Sequence, residues 1–439
     1  MVPPAQVDVA IVGAGFAGLT AARELSRRDL SVVVLEARDR VGGRAWTDER
    51  WGMALELGGT WIHPVQPHVW AEVMRYGLPM KRSPTAERCG WVVGDHCEFG
   101  DAAELDVLLR PCMDRMCELG AKLYPRPYEP LSAMDALVSV DGRSVADEID
   151  LLGLSEEAYV VADGMWATNF SALMSEGALT QAARWCALAH GDWRLLFEAV
   201  AKLKLKNGTR ELASRIAADG SAELQLATRV TAVETSALGV SVRTVSGSVE
   251  SRAVVVAVPI NTLADISFSP ALNQGRSAMS LEKHAGHGSK VWVRVAGDMA
   301  PFFGYATTAH PLTLVQYEGS VEGDSLLVGF GSDGLGFDGN DVDATARAIS
   351  PWLPDAKVVA STSHNWTADP FSLGTWGMLR PGQLTAYGAD LYRQEPPLFF
   401  AGSDIAHGWA GFIDGAIESG LHTAQAVLDY LRGEVVLGR

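Results

Sequence analysis

Val7-Asp8-Val9-Ala10-Ile11-Val12-Gly13-Ala14-Gly15-Phe16-Ala17-Gly18-Leu19 decides the reading of this chain. Val7 to Val12 is an apolar run fit for a strand buried on both faces, and Leu19, Ala22 and Leu25 keep helical spacing after the glycines. A second buried strand, Ser31 to Leu35, ends at Glu36. In that setting Gly13 allows a tight turn, Gly15 lets backbone approach a pyrophosphate, and Gly18 lets helix and strand pack closely. The phosphates then face the unpaired N–H groups and the dipole of the helix start. Glu36 stands where a carboxylate accepts hydrogen bonds from both ribose hydroxyls of an adenosine. A purely structural glycine turn leaves Glu36 without a role, so the pattern predicts a dinucleotide site. By itself it does not separate FAD from NAD.

The rest of the chain sets the frame. At 439 residues it exceeds one ordinary core, and 48% hydrophobic against 20% charged residues is a globular balance, so two intertwined domains are expected. A net charge of −17 argues against nucleic acid, whose phosphates need Lys and Arg. The same charge mildly favours a cationic substrate, though solubility alone explains it. The start lacks a basic region followed by a separate apolar one, so no secretory signal is expected. No window has the apolar length of a membrane span. Five cysteines, Cys89, Cys97, Cys112, Cys117 and Cys186, form no CxxC pair and read as free thiols of a cytoplasmic protein. The oligomeric state is open, a homodimer included. Met74 to Leu205 reads as mostly helical with Pro-rich joints at Tyr124 to Pro130. Strands are expected at Leu224 to Glu234, Gly239 to Val245, Ala253 to Val258, Lys290 to Val295, Ser325 to Phe330 and Leu398 to Ala401, with a closing helix to about Leu431.

Beyond Glu36 come Ala37, then Arg38-Asp39-Arg40-Val41-Gly42-Gly43-Arg44 and Glu56-Leu57-Gly58-Gly59-Thr60-Trp61. A second Gly-Gly-Arg supplies another phosphate contact, and the later glycine pair brings backbone against a flat ring without a Cβ in the way. These blocks resemble the flavin amine oxidases, the family that includes monoamine oxidases, polyamine oxidases and 6-hydroxynicotine oxidase. The block-by-block match is best to the last of these. The resemblance implies FAD held by Gly13 to Gly18, Glu36, Ala37, Arg38, Gly43, Arg44 and Gly58 to Trp61. Val230, in Thr228-Arg229-Val230-Thr231, is similar to the family residue whose backbone reads the adenine. At the far end Gly402-Ser403-Asp404 and Trp409 to Gly420 resemble the family's closing motif. There the acid holds the ribityl or pyrophosphate region, and the helix start near Ile413 points at the pyrimidine side of the flavin. Small residues for close helix packing explain Gly415, Ala416 and Gly420 equally well.

From spacing alone Lys290 is an ordinary lysine at a strand start. Gly288-Ser289-Lys290-Val291, however, is similar to the family motif whose lysine holds a water against flavin N5 and helps oxygen reduction. Trp376 and Phe412 resemble the two walls of the family's aromatic cage, and Trp366, in the His364-Asn365-Trp366-Thr367-Ala368-Asp369-Pro370 run, the tryptophan beside the flavin. The plain alternative is that these are core aromatics. The match implies that Asn169 and Tyr317 line the substrate pocket. Two departures stand out: Thr375 occupies the place of the cysteine in covalently flavinylated members, implying non-covalent FAD, and Phe412 stands where tyrosine is common. His284 and His287 lack a third ligand, so no metal is expected, and no GxSxG elbow occurs. Glu56 and Asp414 could be read as a carboxylate pair, but Glu56 better suits a residue fixing the turn before the glycines.

The expected fold is α/β, a Rossmann-like FAD-binding domain assembled from residues 1–75, 200–265 and 395–439. A substrate domain of helices and an antiparallel sheet would fill 76–199 and 266–394. The expected chemistry is oxidation of a small amine by hydride transfer to FAD, with dioxygen as the acceptor. A dehydrogenase or desaturase on the same fold and a non-catalytic flavin-bound scaffold are the rivals.

Overall fold

The computed structural model describes residues 5–237 and 239–434. Two sheets organise it. The first has eight strands in the order Ser267–Ser269, Val230–Ser236, Gly239–Thr244, Ser248–Val256, Ala5–Val12, Val32–Leu35 and Glu223–Gln225, with Leu398–Phe400 also pairing Ser248–Val256. Ala5–Val12 lies at its centre, parallel to Ser248–Val256 on one side and to Val32–Leu35 on the other. Strands covered on both faces need apolar side chains at every position, and Val32–Leu35 is buried throughout. On one face pack the helices Phe16–Ser26 and Ile413–Leu431, which lie against each other. The chain's first and last helices thus share one core. The other face is covered by helices Gln274–Glu282 and Gln383–Tyr392.

The second sheet has seven strands in the order Val358–Ser363, Ser289–Val295, Asp324–Gly331, Leu314–Val321, Phe302–Tyr305, Arg88–Val93 and His96–Gly100. Alternation divides its side chains: Val291, Val293, Val315 and Leu327 join one core, while Trp292, Leu314, Val328 and Phe330 join a larger one with the helices Ala102–Leu123, Glu156–Phe170 and Leu179–Leu188.

Two sequence expectations need correction. The sheet is mixed, because Phe302–Tyr305 runs parallel to Arg88–Val93. The stretch from Met74 to Leu205 also opens with strands Met80–Arg82, Arg88–Val93 and His96–Gly100 before its helices begin. Arg88–Gly100 is a hairpin in which Val93 pairs His96 across a turn at Gly94, and its apolar run is too short to carry a period. No helix among the described residues is long and apolar enough to cross a membrane.

Candidate active site

A cavity of about 480 Å³ runs from Glu36, Arg38 and Val230 past Gly13, Gly15 and Gly43 to Gly58, Gly59, Thr60 and Lys290. Trp366, Trp376, Gly402, Ser403, Phe412 and Ile413 line it too, so both chain ends and the second sheet meet around one space.

At its first end the wall is mainly backbone. Gly13 has φ +102°, and a Cβ there would sit 2.8 Å from Ala257 O. Glu36 is 5% exposed and ties the loop together: one oxygen accepts from Ala14 N (2.6 Å), the other from Arg38 N (2.8 Å). Arg38 pairs with Asp369 at 2.9 Å, and Asp369 also meets His364 Nε2 at 2.8 Å. Burial works against the Asp369 charge, but His364 and Arg38 overcome it and hold the carboxyl well below its ordinary value. The His364–Pro370 run is therefore fastened to the Arg38–Arg44 segment more than three hundred residues earlier.

Arg44 is the second clamp. It donates to Thr375 O (2.7 Å), Ser403 Oγ (3.1 Å) and Asp404 (2.6 Å), joining the N-terminal segment to both later motifs. The Asp404 side chain is nearly enclosed, and against that burial Arg44, His284 and the Ile260 N–H hold it below its usual range. It stands behind Arg44 rather than on the cavity wall. Ala14 and Gly18 likewise lie just behind the surface: Ala14 gives its N–H to Glu36, and a Cβ on Gly18 would lie 2.0 Å from Gly13 O.

Toward the other end the backbone rises as Gly58–Thr60. A Cβ on Gly58 would stand 1.9 Å from Arg44 O and 3.0 Å from the Trp366 ring, so the ring and the strand approach as closely as glycine permits. Trp366 is buried and donates to Leu57 O at 2.9 Å. Lys290 opens the strand Ser289–Val295 and is 6% exposed. Its Nζ donates to Gly58 O (2.9 Å) and Thr60 Oγ1 (2.6 Å) and sits 5.3 Å from the Trp61 ring centre. Burial, only partly offset by Glu56, brings it from 10.5 down to about 7. Trp376 donates to Asn169 O at 2.8 Å, and Phe412 is held edge-on by Trp185 at 5.0 Å and Trp409 at 5.2 Å. Apolar side chains, among them Leu105, Leu109, Phe197 and Phe303, close the space beyond them.

Asn169 lines this pocket, but the structure does not bring Tyr317 to it. The strand Leu314–Val321 presents Leu314 and Gln316 inward, so Tyr317 turns to the opposite core. Sequence reading missed Gln316 together with Tyr305 and Phe330, which also line the pocket. Alternation alone was silent on which parity faces inward, because both sets mix an apolar residue with a polar or aromatic one. Glu56 and Asp414 are not a reacting pair. Glu56 accepts from Thr47 and Thr209, and Asp414 accepts the N–H groups of His68 and Val69.

A flat dinucleotide fits this space on the structure's own terms. The helices Phe16–Ser26 and Ile413–Leu431 both start at the cavity, and neither has a side-chain cap, leaving backbone N–H groups free for phosphate and pyrimidine oxygens. A Cβ on Gly402 would meet nothing within 4 Å, and Gly15 and Gly43 face each other with only backbone between them.

A glycine-lined dinucleotide cradle that opens onto a buried lysine and an aromatic cleft defines a flavin-dependent oxidoreductase. The chain belongs to the flavin containing amine oxidoreductases, whose family model matches residues 16–428, and its cofactor is FAD. It is 38% identical to the pseudooxynicotine dehydrogenase of a Pseudomonas species, covering 97% of this chain and 87% of that one. It is 30% identical to the (S)-6-hydroxynicotine oxidase of Paenarthrobacter nicotinovorans, over 96% and 99% of the two chains. A solved variant of putrescine oxidase superposes with a TM-score of 0.83 at 25% identity, over 98% of this chain and all of that one.

Proposed function

We propose that this protein oxidises a small arylalkyl or heterocyclic amine and passes the electrons to dioxygen. The observation that carries the reading is a single cavity lined by the glycine cradle, Lys290, Trp376 and Phe412 together. FAD, when bound, would supply the acceptor for a hydride from the carbon next to the amine nitrogen and would pass the electron pair on to dioxygen, giving hydrogen peroxide. Trp376 and Phe412 hold the amine between them, aim that carbon and keep water out during the transfer. The apolar lining disfavours an ammonium and so favours the neutral amine, whose lone pair is needed to form the imine. The imine leaves and hydrolyses in water.

Lys290 is not assigned the substrate proton. Two of its N–H groups are directed at Gly58 O and Thr60 Oγ1, and the remaining position, a third N–H on the ammonium or a lone pair on the neutral amine, is left to hold a water where oxygen is reduced. Thr375 offers a hydroxyl where a thiol would be needed for a thioether, so FAD is held without a covalent bond. Acid precipitation is then expected to release all the flavin into the supernatant; flavin retained in the pellet contradicts this.

A dehydrogenase is the second reading, favoured by the name of the 38% identical relative. Anaerobic mixing with an amine panel is expected to bleach the flavin band, and dioxygen to restore it faster than turnover. Bleaching followed by reoxidation slower than turnover with an artificial acceptor decides for the dehydrogenase. No bleaching by any amine overturns both.

A further inference from the structure

The polar groups of the pocket outside the cage include one whose orientation is fixed from behind. Gln316 lines the cavity and is 7% exposed. Its Nε2 donates to Glu318 Oε1 two residues on, and Glu318 is in turn ion-paired with Lys204. The Glu318 side chain is wholly enclosed and that of Lys204 only 8% exposed. The pairing of Leu314–Val321 with Asp324–Gly331 slips between Tyr317 and Gly319, so Glu318 is the extra residue of a bulge on the same face as Gln316. Burial brings Lys204 down to about 8, which still leaves it an ammonium at neutral pH, facing the Glu318 carboxylate. A carboxylate only accepts, so the amide nitrogen must face Glu318 and the amide oxygen must face away from it. That oxygen has no hydrogen-bond partner among the described residues.

The sheet register places this oxygen relative to the reacting end. Lys290, Phe330 and Leu314 form one row across three strands, and Trp292, Val328 and Gln316 the next. With strands ~4.8 Å apart, Gln316 stands roughly 10 Å across the sheet from the Lys290 strand. Gln316 lines the same cavity as Trp376 and Phe412 at that separation from the lysine strand.

We propose that Gln316, held by the buried Glu318–Lys204 pair, accepts a hydrogen bond from a hydroxyl or N–H donor at the end of the substrate remote from the oxidised carbon. Gln316 is then a specificity residue, and Glu318 a positioning residue that acts through it. This rests on the amine-oxidising reading above and narrows it: the preferred amine carries a ring or short chain ending in a donor. An enclosed acceptor left unpaired penalises analogues that lack the donor, the basis of strong discrimination in polar pockets.

The test uses FAD-bound enzyme and two matched arylalkyl amines, one with a distal hydroxyl on the ring and one without, in anaerobic stopped flow. Wild type is expected to bind the hydroxylated amine at least about ten-fold more tightly, judged from the amine concentration giving half-maximal reduction rate. Gln316→Leu should abolish that preference, the two amines then reaching half-maximal reduction rate at the same concentration. The double change Gln316→Glu with Glu318→Gln keeps an acceptor toward the cavity and a partner for Lys204, and should retain the preference. A merely structural role would instead lower both amines together in both variants. Equal use of the two amines by wild type, or an unchanged preference in Gln316→Leu, overturns the proposal while the amine-oxidising reading stands. If neither amine nor any other of the panel reduces the flavin, that reading fails and takes this one with it.

Discussion

The two ends of the cavity are made of different material. From the pyrophosphate end as far as Gly58 and Gly59 the wall is backbone: Gly13, Gly15, Gly43, the Gly58–Gly59 rise and two uncapped helix starts, tightened by Glu36 and Arg44. At the reacting end it is side chain, with Lys290, Trp376, Phe412 and Gln316 arriving from four separate segments. Where the backbone wall is crowded, as at Gly13 and Gly58, it tolerates no added atom, because its shape is its function. A side-chain wall sits on strands and helices that fold without it, so changes there alter chemistry before stability. The same contrast explains how one fold can serve many amines.

The largest effect expected from this contrast is at Gly58. Gly58→Ala puts a carbon 1.9 Å from Arg44 O, a backbone atom that cannot swing aside. Such overpacking costs about 1–3 kcal/mol or more, and purified protein should carry little flavin by its absorbance ratio. A normal flavin content breaks the comparison at its firmest point. Next is Lys290→Met, for which double-mixing stopped flow should show reoxidation by dioxygen slowed at least about ten-fold, with reduction by amine changed far less. Slowing of both alike would place the lysine in the wrong half-reaction. Trp376→Leu should slow reduction about ten-fold by loosening the aim of the reacting carbon, with flavin content unchanged.

The smallest effect is on stability against pH. Lys290 falls from 10.5 to about 7 on folding because it is buried. Between those values the unfolded chain binds a proton that the folded chain does not, so stability rises with pH across that window. Below about pH 7 the folded protein holds a buried ammonium and the full cost is present. Lys290→Met lacks this cost, so its Tm relative to wild type should be most favourable below pH 7 and should lose ground as pH climbs toward 10.5. A difference that does not vary with pH would mean the lysine is better solvated than its surroundings indicate.

The backbone end was legible in the sequence because its signals are local. Gly13, Gly15 and Gly18 with Glu36 lie within one strand–turn–helix–strand unit, and the closing helix was expected to end at Leu431, where it does. The Arg88–Gly100 hairpin was not legible, since a strand of six residues carries too few apolar positions to distinguish a period of 2 from one of 3.6. The Arg38–Asp369 and Arg44–Asp404 pairs were invisible for another reason: each joins residues more than three hundred positions apart, and only the folded chain makes them neighbours. Tyr317 fails by one residue. In a strand a shift of one reverses every side chain, so a resemblance that locates a strand to within one position still leaves its facing undecided. Gln316 held the inward place, and Lys204, which pairs with the Glu318 that orients it, comes from a distant strand.

The most direct test of the account is a crystal structure of the FAD-bound enzyme soaked with a slow amine substrate under anaerobic conditions. The isoalloxazine is expected against Gly58 and Gly59, with Trp376 and Phe412 on either side of the amine and Lys290 linked to N5 through one water. An isoalloxazine lying outside that cleft, or an amine bound away from Trp376 and Phe412, would contradict the account at its centre.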